Sequence, residues 1–316
     1  MIKKIKRCIW YLIHPVRFLA AVVIAADKTI LRHKVPDKLY IECRCYLNKG
    51  EKINWNKPVS FTQKLQWLKL YDRNPLYTKL ADKYAVREYI AQKIGENYLM
   101  PVLGAWNSFD AIDFATLPRQ FVLKCSHDSG SVVLCTAKET FDIASAKEKL
   151  EKRLKINYYF RGREWAYKNI PPRIIAEKYM TEGDGTGLKD YKFFCFNGEP
   201  KLIKFCTRNY TATGMGRPSV AFFNLDWTEL PFTVGYEKVT SKIENPENFN
   251  VMVEICKNLS AGIPFVRVDL YNIRGQIYFG EMTFYPSGGN HKFNPPEWDA
   301  VLGTWLKLPE KAAQKN

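Results

Sequence analysis

The sequence predicts an α+β protein with a cleft between lobes, and three observations support that class. Helical periodicity dominates the first third of the chain. Short apolar runs joined by turn residues follow, which is typical of antiparallel strands mixed with helices. The 316 residues, 46% hydrophobic and 25% charged, are enough for two or three lobes with a real core.

The first predicted elements are helices. Ser60 stands before apolar residues at helical spacing, so we expect it to cap a helix over residues 60–72. A second helix is expected over residues 80–94, ended by Gly95. Residues 36–58 are polar and are expected to be rich in loops. Two further helices are predicted at residues 141–156 and 247–260.

The remaining apolar runs predict strands. They cover residues 98–106, 120–126, 131–136, 173–179, 191–196 and 200–206. Asn197 and Gly198 are the two turn residues of a predicted hairpin. Residues 181–188 are rich in Gly and are expected to form a flexible loop. The last two strands lie within residues 265–289 and are joined by a turn at residues 272–275.

Composition limits the partners and the compartment. Lys and Arg number 48 against 32 Asp and Glu, a net charge of +16. This excess favours polyanions such as nucleotides, acidic polysaccharide, anionic lipid or nucleic acid, although a generally basic surface has the same charge. The eight cysteines show no metal or CxxC spacing, which indicates reduced thiols in a cytoplasmic protein. Aromatic residues lie in apolar runs, not between arginines, so no specific nucleic-acid partner is expected.

Residues 1–35 form a basic leader. Its apolar runs are broken by Pro15 and Arg17, so none is long enough to span a bilayer. Basic residues beside Trp10 fit an amphipathic segment on an anionic membrane, which would place the protein at the inner face of the cytoplasmic membrane. A helix packed on the domain, or a frayed terminus, fits the same pattern.

Two acidic residues occupy corresponding places in the last predicted strand pair. Asp269 closes the first apolar run and Glu281 closes the second, and such ends lie side by side in an antiparallel pair. Two buried like charges repel unless a cation lies between them. Carboxylate oxygens suit Mg²⁺, or alternatively Mn²⁺, carried with a nucleotide phosphate. Two solvated carboxylates at hairpin ends are the alternative interpretation.

A turn rich in Ser and Gly follows the strand that carries Lys124. Ser129, Gly130 and Ser131 offer hydroxyls and unhindered backbone N–H groups, which suit phosphate oxygens. Lys124 adds a compact positive charge to this turn. The GxxxxGK[ST] order of a Walker loop is absent, and an ordinary hairpin turn explains the same residues.

The strand predicted at residues 173–179 carries Glu177 and Lys178. Its backbone and one carboxylate are suited to an adenine edge, and Asp190, beyond the Gly-rich loop, is placed to reach ribose hydroxyls. An edge strand with a solvated Glu is the alternative, and it is the better explanation for this segment taken alone.

Four blocks, taken in order, resemble the ATP-grasp superfamily: an early phosphate lysine, a second lysine with a phosphate flap, an adenine and ribose segment, and an RxD…E metal block. The matching residues are Lys83; Lys124 with Ser129, Gly130 and Ser131; Glu177, Lys178 and Asp190; and Arg267, Asp269 and Glu281. Their order and spacing are similar to those of D-alanine–D-alanine ligases. The resemblance implies two α+β lobes that clasp ATP and Mg²⁺, with Lys83 expected on a helix.

A closer resemblance, over about residues 36–309, is to the teichuronopeptide-biosynthesis type of ATP-grasp protein. It is carried by stretches such as LPRQFVLKCSHDSGS, KDYKFFCFNGEPK and VRVDLYNIRGQIYFGEMTFYPSGG. Members of this type often occur in capsule and other surface-polysaccharide pathways. The implied division is a helical region at 36–118, an ATP-grasp domain at 119–309 with lobes at 119–180 and 181–309, and a tail at 310–316.

The resemblance implies an ATP-dependent carboxylate–amine ligase that forms an amide through an acyl phosphate. Its substrates would be a uronic acid or amino acid of an anionic glycan, and an amino-acid amine. Arg267 and Lys124 would serve catalysis by offsetting negative charge. A glycosyltransferase is one alternative, although no DxD triplet is present. A non-catalytic, membrane-associated assembly protein is another.

Two features leave part of this site open. Thr283 stands where the superfamily typically has Asn, and a hydroxyl is a weaker Mg²⁺ ligand than an amide oxygen, so a second metal site is in doubt. Arg208 and Arg217, on either side of a Gly-containing loop, are either acceptor contacts or part of a solvated surface.

Overall fold

The computed structural model describes residues 14–31, 33–182, 188–207, 210–211, 214–215 and 218–310. Helices predominate before residue 100: Pro15–Lys28 (α1), Asp37–Lys49 (α2), Phe61–Tyr71 (α3), Leu76–Ala81 (α4) and Val86–Lys93 (α5). Three more lie among the later strands: Ile143–Leu154 (α6), Phe249–Ser260 (α7) and Trp298–Trp305 (α8). This arrangement confirms the predicted α+β class.

The strands build two main sheets. The strands are Val102–Trp106 (β1), Phe121–Cys125 (β2), Val133–Cys135 (β3), Ile174–Lys178 (β4), Asp190–Phe196 (β5), Glu199–Thr207 (β6), Tyr210–Thr211 (β7), Gly214–Met215 (β8), Ser219–Phe223 (β9), Glu237–Lys238 (β10), Phe265–Ile273 (β11) and Gln276–Thr283 (β12). One sheet has the order β1-β4-β2-β3 and the other the order β10-β9-β6-β5-β11-β12, while β7 and β8 form a short ribbon.

The two sheets have separate hydrophobic cores. Helix α6 packs on the four-stranded sheet, where Phe121, Leu123 and Leu150 are fully buried. The six-stranded sheet shares a larger core with α7 and with the helices before residue 100. Each core and its sheet form one lobe, and the predicted cleft lies between the two lobes.

Local chemistry explains the elements that were predicted correctly. The Ser60 hydroxyl accepts the Gln63 N–H at 3.2 Å and caps α3. Asn197 and Gly198 take φ values of 53° and 87°, as a two-residue hairpin turn requires. The turn between β11 and β12 is built in the same way.

The helix predicted over residues 80–94 is wrong in part, because it is broken at residues 82–85 into α4 and α5. The Asp82 carboxylate accepts the Tyr84 N–H at 2.9 Å, so this side chain satisfies the backbone in a turn instead of a helix. Lys83 therefore lies in that turn and not on a helix. Residues 36–58, expected to be rich in loops, contain α2, which forms because it buries Tyr40 and Ile41.

The second half of the leader belongs to the folded body. Asp27 of α1 is fully buried, and both of its carboxylate oxygens accept from Arg163 Nη2 at 3.0 Å. Arg163 also lies 4.3 Å from the Tyr40 ring of α2. Four apolar residues of α1, Val16, Phe18, Leu19 and Val22, are 45–62% exposed.

Residues 1–13 of the leader lie outside the described residues. In the part of the chain that the structure describes, no helix has both the length and the hydrophobicity needed to cross a membrane.

Candidate functional site

A cavity of about 420 Å³ lies between the two sheets, a size usual for a small-molecule site. Strands of both lobes contribute to its walls. The predicted site residues that line it are Lys83, Lys124, Ser129, Gly130, Glu177, Lys178, Asp190, Asp269 and Glu281. Ser131 and Arg267 do not line it. The fold thus brings residues that are far apart in sequence to one space.

Asp269 and Glu281 are direct cross-strand partners on β11 and β12. Asp269 is 1% exposed, whereas the Glu281 side chain is 33% exposed to the cavity. The expected position of Asp269 at a strand end is wrong, because β11 continues to Ile273. The register shifts immediately after this pair, at a β-bulge that leaves Gly280 unpaired. A β-carbon at Gly280 would lie only 3.0 Å from the Asp269 carbonyl oxygen, so the bulge needs glycine.

Arg267 lies between the two carboxylates. Its Nε and Nη2 donate to the two oxygens of Asp269, both at 2.6 Å, and Nη2 also donates to Glu281 at 2.9 Å. Nη2 reaches the Thr283 hydroxyl at 3.0 Å as well. The expectation that a metal ion must separate the carboxylates is therefore corrected, since a guanidinium already does so.

Lys192, which the sequence interpretation missed, completes this charged row. Its ammonium contacts Asp190 at 2.5 Å and also pairs with Asp269. Burial opposes its charge, but these two carboxylates outweigh burial and raise the pKa of Lys192. Two-residue alternation along β5 places Lys192 on the same face as Asp190, but only the register of β5 with β11 shows that it also faces Asp269.

Glu281 stays ionised over the whole physiological range. Burial alone would raise its pKa, but the charges of Lys83, Arg267 and Lys192 outweigh burial and lower the pKa of Glu281 to about 2. Lys83 Nζ lies 3.8 Å from Glu281 Oε2 and donates a hydrogen bond to the Asp128 carbonyl. Lys83 therefore links the metal block of one lobe to the Ser/Gly turn of the other.

The Ser/Gly turn offers fewer phosphate donors than the sequence suggested. Only part of it faces outward: Ser129 and Gly130 are exposed, whereas Ser131 is buried. The Ser131 hydroxyl donates to Asp128 at 2.6 Å and accepts the Cys125 N–H at 2.8 Å, so it is engaged within the turn. Gly130 has φ 91°, a conformation that favours glycine.

Two acidic residues on opposite walls match the expected nucleotide segment. Glu177 Oε2 lies 2.6 Å from Lys124 Nζ, and both side chains are mostly buried. Asp190 Oδ1 is buried and has no hydrogen-bond partner among the described residues. An unpaired acceptor in a cavity wall suits a hydroxyl donor such as a ribose hydroxyl.

We expect Lys124→Ala to weaken ATP binding by about 10- to 100-fold, because a charge-assisted bond to phosphate would be lost. Calorimetric titration with Mg·ATP measures this. Lys147→Ala, which removes an exposed lysine of α6, is the matched control and should bind like the wild type. Unaltered affinity in the Lys124 variant would remove this lysine from the phosphate site.

The donor set fits a magnesium–nucleotide complex. Glu281 Oε2 has only a 3.8 Å ionic contact with Lys83, so it is open to a cation from the cavity. No cluster of three or more His, Cys, Asp or Glu that could hold a metal occurs among the described residues. Mg²⁺ commonly uses one or two carboxylates and takes its other oxygens from substrate phosphates and water. Asp269 and Glu281 would hold it.

His291 is a buried neutral histidine beside the charged row. It packs against Phe61, Phe194 and Phe293, and its Nε2 has no partner among the described residues. Burial, followed by the charge of Lys204, lowers the pKa of His291 to about 3. The side chain is therefore uncharged in the folded protein at physiological pH.

This shift predicts acid sensitivity. An unfolded chain protonates His291 below about pH 6.5, whereas the folded protein does not, so stability falls as the pH falls. His291 alone should lower the free energy of unfolding by about 2 kcal/mol between pH 7 and pH 5. Urea unfolding at both pH values should show a smaller difference for His291→Gln, while His14→Gln at an exposed site should behave like the wild type. An identical difference in His291→Gln would contradict the assignment.

Two predicted regions cannot be placed. Arg208 and Arg217 lie outside the described residues, as do residues 183–187 of the Gly-rich loop. The eight cysteines include Cys8, which also lies outside them, and the seven described ones are free.

The two-lobed fold, with a charged cleft between an antiparallel four-stranded sheet and a larger sheet, defines an ATP-grasp protein. Residues 63–307 match the model of the TupA-like ATP-grasp family, and the chain belongs to this family. The resemblance expected from the sequence is thereby confirmed. No protein of curated function matches the chain.

Several solved structures share part of the fold. A D-alanine–D-alanine ligase from Bacillus anthracis is 15% identical, with 65% of this chain and 57% of that one covered and a TM-score of 0.36. The Helicobacter pylori ligase is 15% identical (72% and 61% covered, TM-score 0.38), and the ATP-grasp ligase PsnB with its minimal precursor is 12% identical (77% and 68%, TM-score 0.38). This chain spans less than two thirds of the length of these D-alanine–D-alanine ligases. Such low TM-scores add nothing to the family assignment.

Proposed function

We propose that the protein is an ATP-dependent carboxylate–amine ligase that forms an amide through an acyl phosphate. One observation supports this most: Asp269 and Glu281 form one rung at the cleft, Arg267 lies between them, and Lys83 contacts both Glu281 and the Asp128 carbonyl of the Ser/Gly turn. Two carboxylates framed by cations, opposite a glycine turn, suit a metal-bound triphosphate.

The proposed reaction has two steps. A carboxylate oxygen of the substrate bonds to the γ-phosphorus of ATP while the bond from that phosphorus to the bridging oxygen breaks, which releases ADP. The amine nitrogen of the second substrate then bonds to the acyl carbon, the carbon–oxygen bond to phosphate breaks, and the amine loses a proton to water. Inorganic phosphate is the other product.

The residues of the cleft have distinct parts in these steps. Lys83, Lys124 and Arg267 offset the negative charge that builds up around the transferred phosphoryl group. Bound to Asp269 and Glu281, Mg²⁺ would neutralise phosphate charge. Ser129 and Gly130, with Lys178 and Asp190 on the other walls, would hold the nucleotide. Closure of the turn over the phosphates would exclude water, which would otherwise hydrolyse the acyl phosphate.

The substrates we propose are a uronic acid or amino acid of a surface polysaccharide and an amino-acid amine. The family resemblance supports this choice, and the net charge of +16 suits an anionic glycan. We place the protein in the cytoplasm, at the inner face of the membrane, where it would serve such a pathway. The proposed division is a leader at 1–35, a helical region at 36–118 and an ATP-grasp domain at 119–309.

Release of ADP by the purified protein tests the proposal. We expect release with Mg·ATP only when a suitable uronic acid and amine from a panel are both present. Tighter binding of ATP than of UDP- or GDP-sugars would support a ligase over a glycosyltransferase. A preference for nucleotide sugars, or a folded protein that neither binds nor hydrolyses ATP, would overturn it.

We also propose peripheral membrane contact through the leader. The exposed apolar residues of α1, together with the four basic residues that precede α1 in the sequence, suit an anionic lipid surface. A truncation at residue 33 is a poor test, because it also removes Asp27, one of the two carboxylates that pair with the buried Arg163.

We expect the protein to sediment with phosphatidylglycerol-containing vesicles at low salt and to be released by high salt. Changing Lys3, Lys4, Lys6 and Arg7 to Glu should abolish this binding. A control with the same charge change, Lys52, Lys57, Lys93 and Lys201 to Glu, should retain it. Equal partitioning of the two variants would contradict the proposal.

A further inference from the structure

Lys204 is a buried lysine of β6 that lies beside the cleft and is not itself one of the residues that line the cavity. Residue register places Glu281, Asp269, Lys192 and Lys204 in one rung across β12, β11, β5 and β6. Cross-strand partners point to the same face of a sheet, so Lys204 faces the same side as the cavity-lining Lys192 and Asp269. Two strand spacings, about 10 Å, separate its backbone from that of Asp269.

The ammonium of Lys204 has no ion-pair partner among the described residues. The residue is 7% exposed, and its Nζ lies 4.2 Å from the centre of the Tyr236 ring. Among the described residues no carboxylate lies within 4 Å of it. Asp190 and Asp269, which lie on the same sheet, pair with Lys192 instead. The lysines of this rung therefore differ sharply: Lys192 is doubly paired and Lys204 is not.

Burying an unpaired ammonium costs stability, and an apolar residue of similar size would avoid that cost. Burial is the main reason why the pKa of Lys204 is lowered to about 8. Repulsion from Arg267 and Lys192 adds to this effect, and Cys206 and Asp269 offset only part of it. The nearby His291, neutral and with an unpaired Nε2, offers no negative charge either. A buried ammonium in such surroundings suits a ligand that brings a negative charge to it.

We infer that Lys204 binds the carboxylate of the substrate that the ligase activates. A carboxylate that approaches a triphosphate is repelled by it. A cation on the same face of the sheet as Asp269 and Glu281 offsets that repulsion. The inference rests on the proposed function for the identity of the ligand, whereas the unpaired charge is a property of the fold. Lys204 thereby defines the substrate side of the cleft, as Lys83 and Lys124 define the nucleotide side.

Calorimetric titration tests this with D-glucuronate, D-galacturonate and L-glutamate as probes, each in the presence of Mg²⁺ and a non-hydrolysable ATP analogue. We expect at least one probe to bind the wild type and to bind Lys204→Met about 10- to 100-fold more weakly. Lys204→Arg should retain much of the affinity. Lys201→Met, at an exposed position near the start of the same strand, is the matched control and should bind as the wild type does.

Two further readouts separate this inference from a structural role and from the proposed function. The Tm of Lys204→Met should equal or exceed that of the wild type, because the change removes a buried unpaired charge. Lys204→Met and Lys204→Arg should bind the ATP analogue as tightly as the wild type does. Equal probe affinity in Lys204→Met and the wild type, or no probe binding to the wild type, overturns the inference. Failure of the wild type to bind the ATP analogue, with probe binding that still depends on Lys204, would count against the proposed function alone.

Discussion

Glu281→Gln is expected to lower Mg·ATP turnover by about 10²–10³-fold while the protein remains folded. The amide keeps the shape of the side chain and can still accept from Arg267, but it removes the open carboxylate oxygen that faces the cavity. The side chain is 33% exposed, so the change leaves no deeply buried cavity. ADP release under saturating Mg·ATP, with the uronic acid and amine that support turnover in the wild type, measures the loss, and circular dichroism confirms the fold.

The matched control for this prediction is Glu254→Gln, which changes an exposed glutamate of α7 that pairs with Lys257. Its turnover should equal that of the wild type. Because the pKa of Glu281 is about 2, the deficit of Glu281→Gln should not vary between pH 6 and pH 8. Unchanged turnover in a folded Glu281→Gln protein would remove the carboxylate pair from the proposed mechanism.

Arg267→Met is expected to lower the free energy of unfolding by about 3–5 kcal/mol and to abolish turnover. Asp269 is 1% exposed and receives two hydrogen bonds from Arg267, so the variant leaves a buried carboxylate with only Lys192 to balance it. The repulsion between Asp269 and Glu281 then has no guanidinium to offset it. Urea unfolding at neutral pH measures the change.

Arg274→Met is the control for Arg267→Met. Arg274 lies in the turn of the same hairpin and is exposed, and within the part of the chain that the structure describes it donates only to the Glu182 carbonyl. Its substitution should change the unfolding free energy by less than about 0.5 kcal/mol. A loss below about 1 kcal/mol for Arg267→Met would show that Asp269 and Glu281 do not depend on this guanidinium.

Much of the fold and of the candidate site followed from local pattern. The strands at 120–126 and 173–179, the hairpin at Asn197 and the cap at Ser60 are all present, because each depends on neighbours in sequence. The helix over residues 80–94 was only partly right, because Asp82 forms a turn whose carboxylate also faces Arg173 at 3.6 Å, a contact from another part of the chain.

Residues missed by the sequence interpretation are those whose meaning depends on register. Lys192 and Lys204 look like ordinary strand lysines until β5, β6 and β11 are aligned. Ser131 shows the opposite kind of error, because a residue was expected in the site and is not available there. A serine suits phosphate, but the Ser131 hydroxyl is hydrogen-bonded inside the turn.

The order of basic and acidic blocks along the chain was enough to place this protein in its family and to indicate which residues meet at the cleft, since covalent spacing and side-chain chemistry are read directly from the sequence. Only the tertiary structure decided which charge neutralises which. Arg267 lies between the carboxylates, Lys192 pairs twice, and Lys204 has no ion-pair partner among the described residues. The physical reason is that electrostatic energy depends on distances of a few ångströms across strands, and strand register is set by the packing of the whole core.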